Sequence, residues 1–76
     1  MKELATHWRD FYRQEARIEL QQAGTMLHTY ADVWNESRET AYQDLNRRAT
    51  VYLAKADALD ELLRRYEKTQ REEANP

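Results

Sequence analysis

Between Tyr42 and Tyr66 the chain reads YQDLNRRATVYLAKADALDELLRRY, and within it Tyr42, Leu45, Ala49, Tyr52, Ala56, Leu59, Leu63 and Tyr66 recur at alternating steps of three and four. That spacing is a heptad seam, which places one apolar edge along a single long amphipathic helix. Toward the N-terminus a second seam runs through Ala16, Leu20, Ala23, Leu27, Tyr30 and Trp34, with Leu4, Trp8 and Tyr12 leading into it. Two seams predict two helices, each needing the other to keep its edge out of water.

The break between them falls at Asn35-Glu36-Ser37, where Asn tolerates the left-handed conformation that ends a helix and Ser37 can cap the next one. Glu39, in the first turn, suits the positive end of the helix dipole. The chain therefore divides into a helix over about 2–34, a loop over about 35–37, a helix over about 38–72 and a frayed tail over 73–76, all in one domain spanning 1–76. Equal arms joined by a short loop give an all-α antiparallel helical hairpin. The alternative is a three-helix bundle with a break at Gly24, because a mid-helix Gly costs about 1 kcal/mol relative to Ala. The seam nevertheless keeps its phase across Gly24.

Two registers fit the hairpin. One sets Ala16 opposite Ala56 and Ala23 opposite Ala49, so that the backbones approach closely; the other sets Ala16 opposite Leu59 and Leu20 opposite Ala56, evening out layer volumes. In both, Trp8, Phe11, Tyr12 and Tyr66 gather at the open end and Tyr30, Trp34 and Tyr42 at the loop. The first helix is apolar over more than its seam. Leu4, Trp8, Phe11, Ile18, Met26 and Val33 form a second stripe roughly 110° from the first on a helical wheel. The second helix answers with a thinner stripe of Val51, Ala58 and Leu62. A lone hairpin cannot bury these stripes, so the spacing predicts a homodimer closing into a four-helix bundle, another protein covering part of the stripe, or both. Trp8, Phe11, Ile18, Met26, Val33, Val51 and Leu62 are the expected interaction surface.

Composition narrows the function classes. A chain of 76 residues is too short to enclose a substrate cavity. No cysteine is available for disulfides or thiolate zinc sites, and one Gly, one Pro and 34% charged residues favour long helices over turns. Twelve basic residues against fourteen acidic ones leave a formal charge of −2, too balanced to attract nucleic acid or anionic lipid through the overall field. No apolar run has the length of a signal peptide or of a membrane span, and the expected location is cytoplasmic. The outer surface reads as solvation, with Asp44 and Arg48, Asp60 and Arg64, Glu61 and Arg65, and Glu67 and Arg71 at the acid-first i,i+4 spacing that supports a helix.

Chemical constellations are sparse. A di-iron bundle needs Glu-x-x-His, and the residues three before His7 and His28 are Leu4 and Thr25. His28 with Asp32 and Asp44 is the nearest approach to a metal set, and an exposed polar edge accounts for it better. Glu3 and His7 read likewise as a helix-surface pair. With no Cys, a single Ser at the loop and no Gly-rich phosphate cradle, no catalytic, cofactor-binding or metal-ligating residue is expected and the chain is not expected to be an enzyme. Glu15 lies on the second stripe between Phe11 and Ile18, with Gln22 on the same stripe, and a carboxylate there could fix register or partner choice.

Arg9, Arg13 and Arg17 form a row at i,i+4 spacing, with Arg47 and Arg48 as a second cluster, and they are the candidate nucleic-acid contacts. Asp10, Glu15 and Glu19 stand among the first group, which favours a charge-paired solvated face. In architecture the expected dimer is similar to the small RNA-binding plasmid copy-number regulators, which are dimers of helical hairpins and share no motif with this chain. The expectation is a small non-enzymatic protein–protein interaction module, an adaptor, inhibitor or regulator acting through helix faces. Its partners would be itself and another protein, with no cofactor, membrane or small-molecule substrate. The alternative is a dimeric helical-hairpin nucleic-acid-binding regulator.

Overall fold

In the computed structural model, which describes residues 2–74, α1 runs over Lys2–Tyr30 and tightens into a 3-10 turn over Ala31–Val33, and α2 runs over Glu36–Ala74. The described residues contain no strand, and the two helices pack antiparallel along a body 64 Å long and about one helix pair across. α1 is continuous through Gly24, where no backbone angle is left-handed, so the three-helix alternative is excluded. Glu73 and Ala74, expected to fray, are helical; Asn75 and Pro76 lie outside the described residues.

The helix ends correct the expected loop. No described residue takes a left-handed conformation; the chain leaves the 3-10 turn by an extended Trp34 (φ −66°, ψ 138°). The cap of α2 is then Asn35 rather than Ser37. Its Oδ1 accepts from the Arg38 N–H at 2.8 Å, while its carbonyl accepts from the Glu39 N–H at 2.9 Å, so the helix starts at Glu36 instead of 38. An Asn side chain reaches the third amide of the helix as readily as Ser does, and taking the cap two residues earlier saves one exposed half-turn. Around it the Trp34 indole N–H donates to Glu39 at 2.7 Å, Trp34 meets Tyr42 edge to face, and the Arg38 guanidinium donates to the Val33 carbonyl from a position 4.5 Å over the Tyr30 ring.

Arg13 pairs with Asp60 at 3.8 Å close to the alanine-on-alanine register, and Arg9 with Asp60 at 3.1 Å, Lys2 with Glu67 at 3.3 Å and Glu19 with Arg48 at 3.4 Å lie within about one helical turn of it, on the side away from the large-on-small register. The small residues of the two helices line the contact. Ala16, Ala23, Ala49 and Ala56 are all buried, Ala56 completely, and Leu63 joins them. Small residues along the contact let two helices approach closely. So close an approach leaves no room for larger seam residues, and Leu20 and Leu27 spill out to 46% and 42% exposure. The seams therefore align the helices without amounting to a core.

Candidate protein-interaction face

Two broad sides of the hairpin remain, and cross-helix contacts say which residues share each. Tyr12 stacks on Tyr52 with centroids 6.1 Å apart and rings tilted by 22°, and Lys55 stands 5.4 Å over the Tyr12 ring. Trp8, Tyr12, Lys55, Ala58 and Leu59 line one hollow on this side, and Ala5, Leu62, Leu63, Tyr66 and Thr69 line another with Lys2 and Arg65 near the open end. On α1 the rings continue outward: Trp8 meets Phe11 edge to face at 5.3 Å and Tyr12 at 5.9 Å. Glu19 and Arg48, each two turns from a member of the tyrosine stack or one turn from it, bridge the helices on the same side.

This side gathers both second stripes. Antiparallel packing turns the flank of α1 bearing Trp8, Phe11 and Met26 and the flank of α2 bearing Val51 and Leu62 toward one direction. Trp8, Phe11, Val51 and Leu62 are exposed and so is Val33, while Met26 is half-buried. Ile18 sits farther round: it lines a shallow hollow made by α1 alone, with Gln22, Met26 and Tyr30, on the outer flank. Wheel reasoning assigned Tyr12, Tyr52, Leu59 and Tyr66 to the seam and so left them out of the surface. The alanine contact is narrow enough that they tilt onto this face, and their seam positions next to small residues were the available signal.

The opposite side is charged toward the open end. Asp60 receives Arg9 at 3.1 Å, Arg64 at 2.7 Å and Arg13 at 3.8 Å, and Arg9 also reaches Asp10 at 3.2 Å. Its Asp10 hydrogen bond, with Asp60 behind it, holds the Arg9 guanidinium above its ordinary range. On the aromatic side, Arg47 lines a hollow with Arg48, Val51, Tyr52 and Lys55 and pairs with Asp44 at 3.4 Å. Four of the five candidate nucleic-acid arginines thus face a carboxylate, the exception being Arg17. Of the expected i,i+4 pairs, Asp60 with Arg64 and Glu61 with Arg65 form. Arg48 crosses to Glu19 and Glu67 to Lys2, each taking an opposite charge on the other helix in place of the one four residues away on its own.

The chemistry of these groups is that of surface ion pairs. Among the described residues every buried side chain is apolar, no three His, Asp or Glu side chains converge as a metal set, and His28, Asp32 and Asp44 do not form one. Glu15 is half-buried at the flank of the aromatic face, one turn from both Tyr12 and Glu19. No helix among the described residues is long and apolar enough to cross a membrane. Compared with protein families, curated proteins and solved structures, the chain matches none.

Proposed function

We propose that this chain is a non-enzymatic protein-interaction module, an adaptor, inhibitor or regulator, that works through the aromatic face shared by α1 and α2 and self-associates over it. The observation that carries the proposal is the exposure left on that face: Trp8 42%, Phe11 41%, Leu62 45% and Tyr66 39%, side by side on a rigid pair of helices. A Trp side chain offers up to about 250 Å², so Trp8 alone leaves on the order of 100 Å² in water, a cost of roughly 2.5 kcal/mol at about 25 cal/mol per Å². Trp and Tyr held in fixed positions are also the residues that most often anchor protein interfaces. Solvated, mutually paired carboxylates and arginines supply neither an enclosed acid–base site nor an unneutralised basic stripe, which is why catalysis and nucleic-acid binding rank below protein contact. The solution site of action follows as the cytoplasm in this reading.

Sedimentation equilibrium tests it. The expected result is a mass above one chain at micromolar concentration, shifted toward the monomer by Trp8→Gln and unchanged by Ala54→Gln on the outer back of α2, with helicity retained in all three. A folded monomer at high micromolar concentration would sink self-association. Tight gel shifts with RNA or DNA that collapse with salt and with Arg13→Ala would replace the whole reading by the nucleic-acid one.

A further inference from the structure

Charge is distributed unequally over the aromatic face. On the α1 flank, between Trp8 and Val33, the ionised residues are Glu15 and Glu19. On the α2 flank the middle of the face carries Lys55 and Arg48, the latter paired at 3.4 Å with Glu19 of its own copy and so able to join a second copy only as an alternating network of two such pairs, whereas Asp44 and Arg65 at its two ends are engaged by Arg47 and Glu61 of their own helix. The levels along the axis are known from contacts. Lys55 reaches Tyr12, one turn from Glu15, and Arg48 reaches Glu19. One edge of the face is thus acidic and the other basic at matching heights.

A second copy can cover this face by a twofold axis in only two ways. If the axis runs along the bundle, both loops lie at one end and α1 of each copy packs on α2 of the other at the same height. Glu15 and Glu19 then meet Lys55 and Arg48 of the second copy, and the Trp8, Phe11 and Tyr66 ends meet each other. If the axis crosses the bundle, the loops lie at opposite ends and α1 packs on α1. The midpoint of the paired region falls near Arg17 on α1 and near Val51 and Tyr52 on α2, so full overlap sets Glu15 against Glu19 and Arg48 against Lys55. Like charges opposed at an interface are penalised, and this is how charge patterns select orientation.

Resting on the self-association proposed above, we infer that the occupant of the aromatic face is a second copy of this chain, docked with both loops at the same end and with the Glu15–Glu19 edge of each α1 on the Lys55–Arg48 edge of the other copy's α2. Two measurements test the orientation separately from the association. The chain has no cysteine, so Ser37→Cys, which leaves the Asn35 cap intact, accepts one spin label per copy at the loop. Same-end docking gives a label separation within about 30 Å, two interhelical spacings of roughly 10 Å plus the label arms. Opposite-end docking gives most of the 64 Å length. In parallel, Glu15→Lys and Lys55→Glu should each weaken the homodimer roughly tenfold, and an equimolar mixture of the two variants should recover wild-type affinity, because each acid then again faces a base across the interface. A mixture that stays weak, a long label distance, or a tighter dimer from Glu15→Lys would overturn the orientation while leaving association standing. A monomeric mass with no label-to-label distance would overturn association itself.

Discussion

Gly24→Ala should stabilise this protein, and the size of the gain can be worked from its surroundings. Gly24 is exposed in the middle of α1 with ordinary helical angles, and a Cβ built on it meets nothing within 4 Å. The new methyl therefore costs no repacking, and what remains is the backbone entropy that glycine loses on entering a helix, worth about 1 kcal/mol relative to alanine. For a domain of this size 1 kcal/mol moves the midpoint of thermal unfolding by about 4–8 °C. Because the proposed association would make the midpoint concentration-dependent, both proteins must be melted at one chain concentration, followed by circular dichroism at 222 nm. A rise of several degrees is expected with no change in helicity. An unchanged or lowered midpoint would mean that residue 24 needs a conformation alanine cannot take, and the continuous α1 would be refuted in favour of a break there.

Two other substitutions probe the seam and the loop. Ala56→Leu adds three carbons at a completely buried position between two close helices, so it should cost about 1–3 kcal/mol by overpacking, read as a lower unfolding midpoint in urea. If stability were retained, the helices would be standing farther apart than the buried alanines imply. Asn35→Ala removes the acceptor of the Arg38 amide and should cost about 1 kcal/mol, while Ser37→Ala should cost little; the opposite order in chemical denaturation would return the cap to Ser37.

How far the residues alone carried the fold depends on which interactions decide each feature. The two helices and their antiparallel pairing were legible because apolar periodicity reports directly on which edge must leave water, and Tyr42 to Tyr66 repeats it without a gap. The register was not legible. An alanine seam has almost the same packing at several offsets, and the choice rests on hooks outside it, Arg9 on Asp60, Glu19 on Arg48 and Tyr12 on Tyr52, whose reach no spacing rule gives. The cap was misplaced because Asn35 and Ser37 are both good caps, and the Trp34 to Glu39 bond that favours the earlier one joins residues whose geometry depends on the turn itself. Of the exposed aromatic face, Trp8, Phe11 and Leu62 belong to the second stripe. Tyr12 and Tyr52 were absent from it because the wheel treats every seam residue as buried.

The unequal lengths of the two helices have a consequence for exchange with solvent. Lys2 stands against Glu67, and Thr69 still shares a hollow with Lys2 and Ala5, so the end of α2, from residue 70 to Ala74, runs on past the described residues of α1 and carries no apolar residue larger than Ala74. Helical hydrogen bonds there open without breaking any contact between helices, and so short a segment is marginal in water by itself. Amide deuteration should therefore divide α2 sharply. Protons from about Ala49 to Leu63 wait for the helices to part, whereas those past Thr69 exchange at nearly the speed of a free peptide, and added salt, which weakens ion pairing between charged neighbours, should accelerate only the second group.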